Sequence, residues 1–127
     1  MRVLVCGGRK FDDTDMLDQA LRTIHDNVGI SCIIHGAAKG ADLMGAGWGS
    51  KNHIESISAF VALWNEHGKK AGVLRNTQMI KEGHPDIIVA FPGGVGTENM
   101  KRQGRQNNIM VVEVSKDDNG TVCFGEF

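Results

Sequence analysis

The stretch Phe91-Pro92-Gly93-Gly94-Val95-Gly96-Thr97-Glu98 has the residue types and spacing to hold an anion. An apolar run, Ile87-Ile88-Val89-Ala90, precedes it, and a charged segment over residues 98–107 that can form a helix follows. A strand, a glycine-rich turn and a helix start therefore lie end to end. Glycines let the backbone come close to a ligand. The first free N–H groups of a helix then point at it, with the positive end of the helix dipole. Gly93, Gly94 and Gly96 could form only a tight turn, but their place between a buried strand and a helix start favours phosphate. Thr97 can cap the helix or bond a phosphate oxygen.

Two more glycine turns follow short apolar runs. Val3-Leu4-Val5-Cys6 ends at Gly7-Gly8, with Arg9 and Lys10 next. Ile30-Ser31-Cys32-Ile33-Ile34-His35 ends at Gly36-Ala37-Ala38-Lys39-Gly40, with Ala41 and Asp42 next. Arg9, Lys10 and Lys39 thus stand just beyond turns at the expected ligand edge. Asp42 can contact a ribose hydroxyl or cap its helix. Trp64 can stack on a base or fill a hole under its loop. Arg75 has the fixed planar donors that suit phosphate or carboxylate. Lys101, Arg102 and Arg105 read as a solvated helix face. Among the histidines, His35 at a strand end is the one expected near the pocket, and the five show no metal-ligand spacing.

These groups need a scaffold, and the chain between them supplies one. Leu17, Ala20, Leu21, Ile24 and Val28 recur at helical spacing, so residues 15–27 read as a helix. Asp13 or Thr14 can cap it and Gly29 ends it. A second helix over residues 41–52 contains Gly45, Gly47 and Gly49. Each costs about 1 kcal/mol relative to Ala in a helix interior. Packing must hold this helix, or its glycines let it lie very close to the sheet or to a neighbouring chain. Residues 54–60 alternate as a strand near the sheet edge, and residues 61–72 read as a loop or broken helical turn. Residues 73–82 read as a helix with Val73, Thr77 and Ile80 on one face. Residues 109–114 form another strand, Asp117-Asp118-Asn119-Gly120 is a turn signal, and residues 121–124 add a hairpin strand.

Apolar strands alternating with helices predict an α/β fold: a Rossmann-like three-layer sandwich with a mainly parallel sheet and a C-terminal hairpin. The expectation is one domain over residues 1–127, with 114–127 as a strand and tail extension. The strand ends meet at one sheet edge, where open parallel sheets bind ligands. Three glycine turns converging there weigh more than one.

The totals fit that reading. The 127 residues suit a single core, and 41% hydrophobic with 23% charged content is ordinary for a globular chain. A net charge of −1 gives no general attraction to nucleic acid or an anionic membrane. Aromatics are 6%, with no obvious stacking platform for single-stranded DNA. Cys6, Cys32 and Cys123 lack a CxxC spacing, so they read as free thiols in a reducing cytoplasm. The N-terminal apolar run is too short for a signal peptide, no run approaches the ~20 apolar residues of a membrane span, and no cofactor is implied.

Four segments, in order, carry a family resemblance. They are Val5-Cys6-Gly7-Gly8-Arg9, Gly36-Ala37-Ala38-Lys39-Gly40-Ala41-Asp42, Gly68-Lys69-Lys70-Ala71-Gly72 with Arg75-Asn76, and Phe91-Pro92-Gly93-Gly94-Val95-Gly96-Thr97. Over about residues 1–114 the chain resembles the YspA-related branch of the SLOG superfamily. That superfamily has Rossmann-like domains and includes the LOG phosphoribohydrolases, DprA proteins and molybdenum-cofactor carriers. The resemblance implies a pocket for a nucleotide or nucleotide-like ligand at the 93–97 turn, a ligand-facing Arg75 beside Asn76 that matches a catalytic Arg of the LOG enzymes, and a homodimer or higher homo-oligomer. LOG enzymes cleave the bond between base and ribose 5′-monophosphate, and their motif continues to a catalytic Glu. The matching position here is Met100, and the nearest carboxylate, Glu98, lies two residues early.

Two functions follow as expectations. One is a non-catalytic module that senses, carries or sequesters a nucleotide. The other is an N-glycosidic hydrolase in which Glu98 or another carboxylate activates water while Arg75 steadies the substrate. DprA-like binding of single-stranded DNA is the weaker third.

Overall fold

In the computed structural model, which describes residues 1–126, six strands form one sheet. They are β1 (Arg2–Cys6), β2 (Cys32–His35), β3 (Ser56–Ala59), β4 (Ile87–Ala90), β5 (Met110–Lys116) and β6 (Val122–Glu126). Their order is β3-β2-β1-β4-β5-β6. The first five run parallel, and β6 returns antiparallel to β5. This is the expected Rossmann-like arrangement with its hairpin. Phe127, at the end of the expected 114–127 extension, lies outside the described residues.

The helices are α1 (Thr14–Val28), α2 (Ala41–Lys51), the single turn α3 (Trp64–His67), α4 (Ala71–Gly83) and α5 (Val95–Gln106). Alternation along the central strands sorts them onto two faces. Val3, Val5, Ile33 and Val89 pack with Met16, Leu17, Leu21 and Trp48 of α1 and α2. Leu4, Cys6, Ile34 and Ile88 pack with Met79, Ile80 and Met100 of α4 and α5. Strands buried on both faces need continuous apolar runs, which is what β1, β2 and β4 have.

Two of the α2 glycines have a packing reason. A Cβ at Gly45 would stand 2.8 Å from Val5 Cγ1, and one at Gly49 would stand 3.2 Å from Ile33 Cγ1. The helix therefore lies directly on the sheet. Gly47 faces open space.

Two helices depart from the expected reading. In α4 the buried face is Asn76, Met79, Ile80 and Gly83, while Val73 is exposed. Instead, the Val73 carbonyl accepts from Thr77 Oγ1 at 3.1 Å and from Gln103 Nε2 at 3.3 Å, in a polar seam with α5. The α5 helix starts at Val95 and not at Glu98, so Gly96 and Thr97 belong to its first turn. Gly94 is the cap residue, with no side-chain cap, and Thr97 does not cap this helix.

Strand β1 connects outward to β2 and β3, and the chain then crosses back to β4 on its other side. The crevice of such a sheet opens where this order reverses, between the carboxyl ends of β1 and β4. Cys6 pairs with Ala90 at that point. The turns that leave these two strands are Gly7-Gly8 and 92–94.

Candidate functional site

The glycine turns lock into one another at the crevice. Phe91 N–H donates to the Cys6 carbonyl at 2.9 Å, and Gly8 N–H donates to the Pro92 carbonyl at 2.9 Å. The Gly8 carbonyl accepts from Ala41 N–H at 3.3 Å, which joins the start of α2 to the same knot. A Cβ on Gly7 would meet Ala41 Cβ at 2.6 Å, and one on Gly93 would meet the Gly8 nitrogen at 2.6 Å. Gly40 has φ +82, and a Cβ there would lie 2.8 Å from the Arg9 carbonyl carbon. Gly94 and Gly96 differ, because nothing lies within 4 Å of a Cβ at either. The same residue type thus serves two purposes: close backbone contact at Gly7, Gly8, Gly40 and Gly93, and open space at Gly94 and Gly96.

That open space is a cavity of about 350 Å³. Gly7, Gly8, Arg9, Asp42, Trp64, Arg75, Asn76, Gly94, Gly96 and Thr97 all line it. Ten of the expected site residues therefore share one chamber. The first intrahelical bond of α5 runs from Glu98 N–H to the Gly94 carbonyl, at 3.0 Å. The N–H groups of Val95, Gly96 and Thr97 precede it and have no acceptor within the helix. The cavity wall therefore includes the positive end of α5.

Arg75 and Asn76 hold the two halves of the chamber together. Arg75 donates from Nη1 to the Gly36 carbonyl at 2.6 Å and from Nε to Asn76 Oδ1 at 3.2 Å. The amide of Asn76 donates to the Gly96 carbonyl at 3.3 Å and to Asn99 Oδ1 at 3.1 Å. Gly36 thereby fixes the guanidinium of Arg75 but does not line the chamber. Ala37, at φ +59, has its N–H on His35 Nδ1 at 3.1 Å. Burial pushes the His35 imidazole below its ordinary pKa, which keeps that nitrogen an acceptor. Ala37, Lys39, Gly40, Pro92 and Gly93 also stand outside the cavity lining.

Trp64 and Arg9 form the rim. Trp64 is 48% exposed and fills no hole. The Arg9 guanidinium lies over its ring, 5.5 Å from the centroid, a cation–π contact between the β1–α1 loop and α3. Phe11 ties the same loop to the sheet by packing on Phe91, with ring centroids 5.1 Å apart.

Comparison with known sequences fits this architecture. Residues 1–67 match the family described as YspA, cpYpsA-related SLOG. Over 118 residues the chain is 36% identical to the Gene 61 protein of Mycobacterium phage D29, covering 87% of this chain and 94% of that protein. The chain belongs to the YspA, cpYpsA-related SLOG family. Membership of the SLOG family suggests a nucleotide-related ligand.

Around this candidate site of the SLOG-family chain, two charged residues stand apart from their expected places. Lys101 is buried and does not belong to a solvated face. Its ammonium is paired with Glu98 at 2.5 Å and with Glu113 of β5. Glu98 faces this triad, beside Pro92 and Ser115, and does not line the Arg75 chamber. Its hydrogen bond with Lys101 holds the Glu98 carboxyl below the usual range. The chamber lining also includes Met100, the position that matches the LOG catalytic Glu, and two residues outside the expected site set, Cys6 and Met79. Their signal in the sequence was only that of core positions. Burial pushes the Cys6 thiol well above its usual range, so it is no nucleophile at neutral pH. Among the described residues no group of three or more His, Cys, Asp or Glu could hold a metal ion. No described helix is long and apolar enough to cross a membrane.

Asp42 is the one carboxylate of the chamber lining. It is buried, and Oδ2 accepts from Gly36 N–H at 3.0 Å. Burial pushes its pKa up to about 6, against the pull of Arg75 and of the N–H groups of Ala38 and Gly36. An unfolded Asp releases its proton near 3.8. Between those two values the folded state keeps a proton that the unfolded chain has lost. Relative to Asp42→Asn, wild-type stability is therefore greatest below pH 4 and falls by about 3 kcal/mol on going to pH 7. Urea unfolding of both proteins at the two pH values measures this. An unchanged gap would show that the carboxyl is not desolvated.

Proposed function

We propose that this protein binds a nucleotide or nucleotide-derived small molecule, with its phosphate on the 93–97 turn. The observation that carries this reading is the bare start of α5. Val95, Gly96 and Thr97, whose N–H groups have no acceptor within the helix, line a cavity that Gly94 and Gly96 leave open. Arg75 and Arg9 line the same cavity and add positive charge for an anion. Trp64 at the rim offers a stacking face to a base. A role as sensor, carrier or sequestering protein follows from binding without turnover.

Binding is preferred over N-glycosidic hydrolysis for a positional reason. Met100 stands where LOG enzymes have their catalytic Glu, and Glu98 is committed to Lys101 away from the chamber. A homodimer remains part of the proposal by resemblance to LOG proteins. Val73 and Leu74, both exposed on α4, would give such a pairing apolar surface.

The test combines thermal unfolding with product analysis. Nucleoside monophosphates and ADP-ribose are added to the wild type and to Gly94→Asp. A bound ligand at a hundred times its dissociation constant should stabilise the wild type by about 2.7 kcal/mol. Gly94 has a negative φ and an open Cβ direction, so the Asp variant should fold normally while placing a carboxylate at the phosphate position. Stabilisation that survives in Gly94→Asp would refute the phosphate assignment. Free base that accumulates with wild type and not with Arg75→Ala would replace the binder reading with the hydrolase.

A further inference from the structure

One side of the chamber mouth is made by a segment that the core barely holds. Residues 61–70 run from the end of β3 to the start of α4 and carry α3 and a 3₁₀ turn at Gly68–Lys70. Ala62 is buried, and the other residues of the segment are exposed. Its two ends are fastened. Phe60 N–H donates to the His35 carbonyl at 2.9 Å, and Ala71 is buried. Between these points, among the described residues, its hydrogen bonds and ion pairs stay within the segment and the adjoining start of α4. Gly68, at φ +56, has nothing within 4 Å of a Cβ, so the chain there stands clear of the rest of the protein. Segments with few buried side chains and only local hydrogen bonds open well before the core does.

Trp64 is where this segment meets the chamber. Its Cη2 lies beside Gly72, 3.5 Å from where a Cβ would stand, and the Arg9 guanidinium covers its ring. Arg9 and Trp64 line the same cavity as the first turn of α5. A guanidinium is planar, so its face can stack on an aromatic ring while its N–H edge donates to an anion. Arg9 can therefore hold Trp64 with its face and an anion with its edge. An anion that fixes Arg9 removes the rotamer entropy that the cation–π contact otherwise costs, and the contact strengthens as the chamber fills. Val61 and Leu63 of the segment and Val95 of the cavity lining are exposed apolar side chains, surface that closure would take from water.

We propose that residues 61–70 are a cover for the chamber, and that Arg9 latches it through Trp64 when an anion is bound. The trigger rests on the anion reading of the 93–97 turn given above; the latch itself does not. If Trp64 only decorates the rim, filling the chamber will leave the segment as accessible as before.

Trypsin reads the cover at Lys69 and Lys70, which are exposed, while Lys81 inside α4 reports opening of the helix itself. Cleavage at each is followed by mass spectrometry, in inorganic phosphate and in chloride at equal ionic strength, with thermal unfolding alongside. Cleavage tracks the population of the open form when opening and closing are fast. Arg9 and Trp64 are both exposed, so their variants should fold. Without phosphate, Arg9→Ala and Trp64→Leu should each raise cleavage at Lys69 and Lys70, relative to Lys81, about two- to fivefold, the scale of an exposed cation–π contact. Trp64→Phe keeps an aromatic face and should lie between. Phosphate should stabilise the wild type and slow cleavage at Lys69 and Lys70 more than at Lys81. In Trp64→Leu it should still stabilise the fold, through Arg9 and α5, and lose that selective protection. Unchanged relative cleavage in both variants overturns the latch. Equal slowing at all three lysines, or selective protection that survives in Trp64→Leu, overturns the coupling. Phosphate that fails to stabilise the wild type refutes the anion reading and the trigger with it, and the phosphate-free comparison then decides the latch alone.

Discussion

Gly93→Ala is expected to lose about 3 kcal/mol or more of stability, enough to unfold much of a marginally stable domain. The added Cβ would stand 2.6 Å from the Gly8 nitrogen and 2.9 Å from the Gly7 carbonyl carbon, and it would also press on Thr97 Oγ1. Two of these atoms are backbone, and they cannot rotate away. They are fixed by the hydrogen bond from Gly8 N–H to the Pro92 carbonyl and by the pairing of Cys6 with Ala90 below it. Relief requires β1 and β4 to part, and these are the two central strands. Gly94→Ala, one residue on, meets nothing within 4 Å and should unfold within about 0.5 kcal/mol of wild type. Gly96→Ala lies in the first turn of α5, also in open space, and should gain up to about 1 kcal/mol from helix propensity. Urea denaturation of the three variants separates the predictions. If Gly93→Ala and Gly94→Ala were equally stable, the interlocked turns would be misdescribed.

That contrast also marks how far the sequence could be read. The apolar runs at residues 3–6 and 87–90 have no polar member, and a strand buried on both faces is the natural consequence. Turn, sheet edge and crevice followed from the alternation of strand and helix. The two kinds of glycine did not. Gly93 and Gly94 are adjacent and identical, and only the approach of the Gly8 loop tells them apart. Lys101 was hidden in the same way. Flanked by Arg102 and Arg105, it reads as one more solvated cation. Its partner Glu113 comes 12 residues later on a neighbouring strand, and sequence spacing carries no sign of that meeting. In α4, Val73 looked like a core residue because it is apolar. The interior there needed Asn76, whose amide bridges Arg75 to the first turn of α5. A buried asparagine with its hydrogen bonds satisfied is favourable where an apolar residue would take away the acceptor of Arg75 Nε and the side-chain donor to the Gly96 carbonyl.

Met100→Glu, which recreates the LOG motif at one residue, is expected to cost about 3 kcal/mol at pH 7 and to create no hydrolase. Met100 is 1% exposed and packs with Leu4, Ile88 and Val111 under the chamber floor. A carboxylate there loses its water, and Arg75, a cation of the chamber lining, already donates to Gly36 and Asn76. Desolvation should raise the pKa of the new Glu above its ordinary ~4.3. The folded state would then keep a proton that the unfolded chain releases, so the penalty shrinks as pH falls toward 4 and grows as it rises to 7. Urea unfolding of Met100→Glu and wild type at both pH values tests the sign. A constant penalty would mean that the carboxylate had found water or a cation in the chamber. In that case base release from nucleoside monophosphates becomes the measurement that matters. Activity appearing in Met100→Glu would show that this chamber lacks only one carboxylate to be a hydrolase. Without activity, one substitution at Met100 does not convert this chamber into a hydrolase.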